Sequence, residues 1–594
     1  MKKLLTGNEA IALGAIEAGV VYAGAYPGTP STEILEILGT HKRAEIVAEW
    51  APNEKVALES AIGASIAGGR ALAAMKHVGV NVAADPLMSF AYSGANGGLV
   101  LISADDPGLH SSQNEQDNRQ YAKFAKMPML EPADSQEAKD MVRAALEISE
   151  QFQRPVMLRT TTRINHSKSI VEFGDITKHP KKPYEKAYRF DLVPAISKRL
   201  HYELEDWLVK LAEYSETTPL NYIQWNGKKI GIVAAGAAYQ YAREVFGTKA
   251  SYLKIGFSYP LPLKKIKAFA EQVDALYVIE ELEPFMEEQI RAAGITCVGK
   301  DKIPNTDELS PTVVARALLG VEPDMVEVEA EAVGRPPTLC AGCPHRGFFY
   351  QLGKLKDVVI AGDIGCYGLG GAPPLNAKDL CICMGSGPSV AHGLQETFDF
   401  FGENKRVFGV IGDSTFFHTG MNSLLQIAYN KSPVVTCILD NRITAMTGHQ
   451  ENPGSGFTLQ GDPVNIVEIG PVVRAFGIQH VRTVNPLNQA AMKETLAWAL
   501  ALNEPSVIIT RWPCALKKYS EADKKEFGDH FHQCVVDAEA CVGCRTCVRT
   551  GCPALRFDKT AKKTRIEPSQ CVGCEICLQV CPKQAISAAG KGSK

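Results

Sequence analysis

The chain has 594 residues, room for three to five domains at roughly 100 to 200 residues each. With 45% hydrophobic and 22% charged residues, and 63 basic against 66 acidic side chains for a net charge of -3, the composition is that of an ordinary globular protein. It excludes a nucleic-acid or membrane-surface binder that works by bulk charge. No apolar run reaches the ~18 residues of a membrane span, and Met1-Lys2-Lys3-Leu4-Leu5-Thr6-Gly7-Asn8-Glu9 turns polar before a signal-peptide core forms, so a reducing cytoplasmic setting is expected.

Residues 1–190 read as one α/β domain. Val20-Val21-Tyr22-Ala23 and Leu99-Val100-Leu101-Ile102 are short apolar runs, and Glu54 to Ala67 is a small-residue helix; this alternation predicts a parallel sheet covered by helices. The first run leads into Ala25-Tyr26-Pro27-Gly28-Thr29-Pro30-Ser31-Thr32. The second leads into a long polar run from Asp105 to Arg119, where a site loop belongs. Residues 191–227 form a linker region with one amphipathic helix, Leu200 to Leu211.

A smaller α/β domain is expected over 228–325, with Ile230 to Gly236 as a strand entering a glycine turn and Ala275 to Glu281 as a buried strand with an acidic end. An acidic, Pro-ended linker spans 326–337, and a third α/β domain spans 338–520. In that domain Val407-Phe408-Gly409-Val410-Ile411-Gly412 ends at Asp413-Ser414, and Val434 to Leu439 ends at Asp440-Asn441. Ligands of open α/β sheets sit beyond the carboxyl ends of strands, so Asp413 and Asn441 face one site. With the Ile443 carbonyl they suit a magnesium ion holding a diphosphate. Two nearby turns, around Gly385 (Met384 to Pro388) and His449 (Thr447 to Gln450), offer backbone N–H groups to diphosphate oxygens. Of His345, His392, His418 and His449, only the last is favoured as facing a cofactor.

Eight of the 17 cysteines fall between Cys541 and Cys581, in the tail domain expected over 530–590. Cys541-x2-Cys544-x2-Cys547-x4-Cys552-Pro553 and Cys571-x2-Cys574-x2-Cys577-x3-Cys581-Pro582 have the spacing of a bacterial two-cluster ferredoxin. Three thiolates at x2 spacing wrap one side of a 4Fe-4S cube, and the fourth comes from the other run. Cys541, Cys544, Cys547 and Cys581 are therefore grouped on one cluster, and Cys571, Cys574, Cys577 and Cys552 on the other. Paired zinc sites are the alternative, but zinc has no use for the third x2-spaced cysteine.

The strand-end pair resembles the thiamin diphosphate signature, Gly-Asp-Gly followed by Asn-Asn, with Ser414 for the last Gly and Asp440 for the first Asn. Tyr26-Pro27-Gly28-Thr29-Pro30-Ser31 resembles the Tyr-Pro-x-Thr-Pro-Ser loop of the 2-oxoacid:ferredoxin oxidoreductase family, and the polar run after Asp105 is similar to that of its indolepyruvate branch. The resemblance covers nearly the whole chain, and it implies transketolase-like, doubly wound thiamin domains (pyrimidine-binding first, diphosphate-binding third), a transketolase C-terminal-like domain between them, and an α+β ferredoxin tail.

Residue roles follow from that resemblance. A glutamate bonded to the pyrimidine N1' drives the tautomer that takes the thiazolium C2 proton. The helix beginning at Asn53-Glu54 selects Glu54, with Glu59 and Glu49 as runners-up. Thr29 falls at the substrate carbonyl, and His110 or Arg119 at the substrate carboxylate. Cys340-x2-Cys343, Cys366 and Cys514 correspond to ligands of a third, proximal 4Fe-4S cluster, although Cys381 and Cys383 also compete and plain free thiols remain an alternative. The implied reaction is oxidative decarboxylation of an arylpyruvate with coenzyme A to aryl-acetyl-CoA and carbon dioxide, electrons leaving singly to external ferredoxin. The chain lacks the family's γ-type domain, so a smaller β subunit and a dimer of αβ heterodimers are expected. A non-oxidative thiamin decarboxylase or synthase leaves the tail cysteines without a task, and an electron carrier on a degenerate thiamin fold leaves Asp413, Asn441 and Glu54 without one.

Overall fold

Leu99–Asp105 is buried along its whole length, and a strand apolar on both faces has to lie inside a sheet covered on both sides. The computed structural model, which describes residues 1–177, 179–184, 186–322, 333–528 and 532–589, places it at the centre of a seven-stranded sheet. The order is Phe257–Tyr259, Met129–Leu130, Val156–Thr161, Leu99–Asp105, Ala71–Lys76, Tyr22–Ala25 and Val47–Trp50. All neighbours are parallel except the Phe257–Tyr259 edge. Successive residues divide between two cores, as the two-residue period of a strand requires. Ala71, Ala73, Leu99 and Leu101 meet Leu58 and Phe90 on one face, whereas Leu72, Ala74, Val100 and Ile102 meet Ile11, Leu35 and Val142 on the other.

The chain divides into two compact units, Met1–Glu329 with Leu459–Asp462 and Ala330–Thr458 with Pro463–Lys594. Besides the large sheet, the first unit holds a four-stranded sheet ordered Ala275–Ile279, Ile230–Ala235, Ser251–Ile255 and Tyr222–Gln224. Two features depart from the expected layout. Tyr222–Gln224, inside the expected linker region, pairs antiparallel with Ser251–Ile255, and Phe257–Tyr259 leaves the smaller sheet to extend the larger one. Both runs are only three residues long, too short for periodicity to reveal them. The helix expected over Leu200 to Leu211 runs over Pro194–Thr217. Most of the expected acidic linker lies outside the described residues.

The second unit is built on a five-stranded, all-parallel sheet ordered Val358–Ala361, Arg406–Gly412, Val435–Asp440, Ser506–Arg511 and His480–Val484. Its tail is α+β: two antiparallel pairs, Cys534–Val536 with Ile586–Ala588 and Leu555–Asp558 with Lys563–Ile566, and a short helix, Ile576–Gln579. The tail is fastened to the larger domain by specific polar contacts. Arg346, 1% exposed, donates from Nη1 to the Thr550 carbonyl at 2.9 Å. Gln579 accepts the Gln489 N–H at 2.9 Å and donates to the Leu487 carbonyl at 2.9 Å. Among the described residues no helix is long and apolar enough to cross a membrane.

Candidate functional site

In the second unit the sheet register pairs Gly412 with Leu439, so Asp413 and Asp440 leave adjacent strands side by side. Asp413 Oδ1 accepts the Ser414 N–H at 2.7 Å, whereas its Oδ2 is buried without a hydrogen-bond donor. Burial first, and the charge of Asp440 second, hold the Asp413 carboxyl above its usual range; burial raises Asp440 too, against the pull of Arg442. Asp440 has Arg442 and Arg511 at 3.8 and 3.9 Å, so it is the orphaned Asp413 oxygen that fits a divalent cation. Asn441 Oδ1 accepts the Ile443 N–H at 3.3 Å, and its Nδ2 lies 3.4 Å from Nε2 of buried His345. The Ser414 hydroxyl accepts from Thr444 at 2.8 Å.

The Gly385 turn differs from expectation. The Gly385 and Gly387 N–H groups point inward and donate to Asp363 at 2.8 and 2.7 Å, so they are taken inside the protein and are not offered to a diphosphate. Gly385 is required there for another reason: its φ is +87°, and a Cβ would collide with the Thr419 hydroxyl. Asp363, 1% exposed, was not singled out from sequence. It follows a strand end as Asp413 does, and that position was the available signal.

Cys514 continues the same edge, because its N–H donates to the Asn441 carbonyl at 3.0 Å. Cys340 and Cys514 are electrostatic neighbours of both Cys343 and Cys366. Burial pushes the Cys343 thiol up to about 12 and the Cys366 thiol up to about 11, and the charges of Cys514 and Cys340 add to both. Thiols so disposed become thiolates only when a cationic centre takes their charge. Burial raises the Cys381 thiol as well, with Lys378, Asp363 and Cys383 as its charged neighbours. The His449 imidazole turns toward Cys514, with Nε2 3.7 Å from Sγ.

In the tail, one cavity is lined by Cys541, Cys544, Cys547 and Cys581, and a second by Cys552, Cys571, Cys574 and Cys577. Each therefore receives three thiols from one run and one from the other, a donor set that fits a cubane. The extra residue of the first run is taken up by the turn Val548–Thr550, closed by Gly551 at φ +71°, and the lengthened loop brings the Thr550 carbonyl to Arg346. A fifth thiol, Cys534, was missed from sequence. It also lines the second cavity, and its N–H donates to Cys571 Sγ at 3.3 Å.

In the first unit Glu54 opens the helix Glu54–Ile66 and is 6% exposed. Its Cγ would lie 2.7 Å from a Cβ on Gly79, so a side chain there would displace it. Glu49 is partly exposed, paired with Arg43 at 3.0 Å, and Glu59 is exposed, paired with Lys55. Thr29 sits in the loop between Tyr22–Ala25 and Thr32–Gly39, half-buried. Arg119 corrects an expectation. It is 1% exposed and held by Asp117 at 2.5 Å, Glu280 at 2.6 Å and the Glu281 and Glu283 carbonyls, so it joins the two sheets and has nothing left for a substrate. His110 lies 3.2 Å from Glu308 at an exposed position.

Comparison with known proteins agrees with this layout. Residues 13–219 match the thiamin diphosphate-binding model of pyruvate flavodoxin/ferredoxin oxidoreductases, 363–510 the C-terminal TPP-binding domain of thiamine pyrophosphate enzymes, and 540–585 the 4Fe-4S dicluster domain. Together they define a thiamin-dependent oxidoreductase subunit that carries its own iron-sulfur domain. The indolepyruvate oxidoreductase subunit IorA of Archaeoglobus fulgidus is 42% identical over 99% of this chain and 98% of its own length. That of Pyrococcus horikoshii is 39% identical over 100% and 97%. The chain belongs to the family of indolepyruvate oxidoreductase IorA subunits. Among solved structures, the 2-oxoglutarate:ferredoxin oxidoreductase of Magnetococcus marinus is 18% identical, with a TM-score of 0.44 over 50% of this chain and 61% of that one.

Proposed function

We propose that this subunit oxidatively decarboxylates arylpyruvates such as indolepyruvate, with coenzyme A, to aryl-acetyl-CoA and carbon dioxide, and passes the electrons singly to a ferredoxin in the cytoplasm. What carries the reading is one continuity inside the second unit: the orphaned Asp413 oxygen, the Asn441 carbonyl bonded to Cys514, and two cysteine-lined cavities in the tail that Arg346 fastens to the same domain. Magnesium is assigned to Asp413, Asn441 and the Ile443 carbonyl. A third cluster is assigned to Cys340, Cys343, Cys366 and Cys514. When bound, thiamin diphosphate supplies a nucleophilic carbon and an electron sink.

The protein's own part is positional. Glu54 holds a proton at the pyrimidine N1', Thr29 orients the substrate carbonyl, and the cysteines fix a chain of one-electron carriers. A smaller γ-type β subunit completes the enzyme, as a dimer of αβ heterodimers.

The test is anaerobic purification with that partner, followed by indolepyruvate and then coenzyme A while the iron-sulfur absorbance is watched. The expected outcome is bleaching that requires both thiamin and 2-oxoacid, about twelve irons per αβ pair, and loss of bleaching in Glu54→Ala. Carbon dioxide released over clusters that stay oxidised would sink the oxidative reading.

A further inference from the structure

The large sheet of the first unit changes winding direction next to Tyr22–Ala25. The chain passes from that strand to Val47–Trp50 on one side, then crosses to Ala71–Lys76 on the other. Such a switch point opens a crevice beyond the carboxyl ends of the two strands, where α/β sheets bind ligands. The Thr29 loop leaves one of these strands. Lys76 ends the other.

Lys76 lies beside the Thr29 loop and leads into the helix against which Glu54 packs. A Cβ on Gly28 would fall 3.2 Å from Lys76 Cβ, so the lysine lines the Thr29 loop. The helix that starts at His77 carries Gly79, against which Glu54 packs. Lys76 is 8% exposed, and its Nζ donates to the Ser111 carbonyl at 2.6 Å and to the Ser111 hydroxyl at 3.2 Å.

What it lacks is a carboxylate in direct contact, since Asp106 attracts it only from a distance. Other buried cations of this unit have a carboxylate at hand: Arg159 has Asp105 at 2.9 Å, Lys139 has Glu17 at 2.9 Å, and Lys254 has Glu137 at 2.6 Å. Arg154 instead caps the Ala91 and Tyr92 carbonyls at a helix end. No carboxylate among the described residues lies within 4.0 Å of Lys76 Nζ. Asp106, the nearest source of attraction, is already held by the Ser111 N–H at 2.8 Å, the Ser112 hydroxyl at 2.6 Å and the Thr162 hydroxyl at 2.7 Å. Burial accordingly pushes the Lys76 ammonium down to about 8. A buried ammonium held only by one serine, with no carboxylate in contact, is short of an anion at a ligand crevice.

We infer that Lys76 binds the carboxylate of the 2-oxoacid substrate, an inference that rests on the function proposed above. It fills the place from which Arg119 and His110 are withdrawn by their own carboxylate partners. A 2-oxoacid has its carboxylate one bond from the carbonyl assigned to Thr29, and Lys76 and the Thr29 loop are neighbours. The ammonium orients the carboxylate and excludes neutral aldehydes and amides of the same ring size.

The test uses the complete complex with its partner subunit, comparing wild type with K76M, K76R and K76A. Loss of one charge-assisted contact is worth about 10- to 100-fold. The KM for indolepyruvate should rise by that factor in K76M, the KM for coenzyme A and the calorimetric Kd for thiamin diphosphate should hold within about two-fold of wild type, K76R should recover part of the loss, and added methylammonium should restore K76A. A K76M enzyme with an unchanged 2-oxoacid KM, or thiamin affinity that falls in step with activity, overturns the assignment. So does a K76A enzyme that methylammonium leaves unchanged. If wild type itself turns over no 2-oxoacid, the proposed function has failed and this assignment falls with it; an active wild type beside an unaffected K76M removes only the role of Lys76.

Discussion

The Cys514 N–H donates to the Asn441 carbonyl at 3.0 Å, so the last cysteine of the quartet and the strand-end carboxamide share one backbone hydrogen bond. A cluster held by Cys514 is thereby positioned by the same turn that shapes the proposed cation site. Cys514→Ala removes the thiol but keeps this N–H. Iron should drop from about twelve to about eight per chain, with thiamin diphosphate affinity within a few-fold of wild type. Iron analysis and calorimetry on one preparation check both, and an unchanged iron count would withdraw Cys514 as a ligand.

Asp413 and Asp440 are two buried carboxyls on adjacent strands, and the charge of Asp440 weighs on Asp413. Asp413→Asn keeps the shape and removes one charge. In metal-free protein the substitution should raise the midpoint of thermal unfolding by a few degrees, on the order of 1–2 kcal/mol, while abolishing the stabilisation that wild type gains from magnesium with thiamin diphosphate. Scanning calorimetry with and without the two ligands separates these effects. A metal-free variant less stable than wild type would show that the pair is not in conflict.

Cys534 and Cys552 both line the second tail cavity, and only one is needed beside Cys571, Cys574 and Cys577. Cys552 reaches across from the other cysteine run, whereas Cys534 sits in an edge strand and contacts Cys571 through its backbone N–H. Cys534→Ala retains that N–H and should keep full iron. Cys552→Ala should lose about four irons per chain. Electron paramagnetic resonance of the reduced tail would show one of two interacting signals missing only in the second variant; the reverse pattern would exchange the two roles.

The residues that sequence made legible are those whose geometry is set by local spacing or by a strand end. Asp413 and Asn441 follow apolar runs and so had to meet at a carboxyl edge. The crossed cysteine grouping followed from how many thiols one short loop can wrap around a cube. Residues that depend on tertiary partners were out of reach. Arg119 looks like a substrate ligand until Asp117 and Glu280, the latter 161 residues away, are seen to bind it. The Gly385 amides look available until Asp363 is seen beneath them. Tyr222–Gln224 and Phe257–Tyr259 are strands only because a partner edge exists for each, which three residues of pattern cannot disclose.

Arg346 supplies the last prediction because one buried guanidinium serves two loops. It donates to the Leu339 carbonyl, to the Cys340 carbonyl at 3.0 Å and to the Thr550 carbonyl at 2.9 Å, linking the first cysteines of the quartet to the lengthened loop of the tail. Arg346→Ala leaves the buried Leu339 and Thr550 carbonyls and the part-buried Cys340 carbonyl without that donor, at about 1–3 kcal/mol for each one that water cannot reach. The loss should fall on the junction, since the tail cavities keep all their own cysteines. Limited proteolysis should then release residues beyond 532 faster than in wild type, a separate lower-temperature unfolding transition should appear, and reduction of the tail clusters by substrate should slow while iron content holds. A variant that unfolds in one transition with a tail still resistant to protease would mean that Gln579 and the apolar contacts suffice to hold the two domains together.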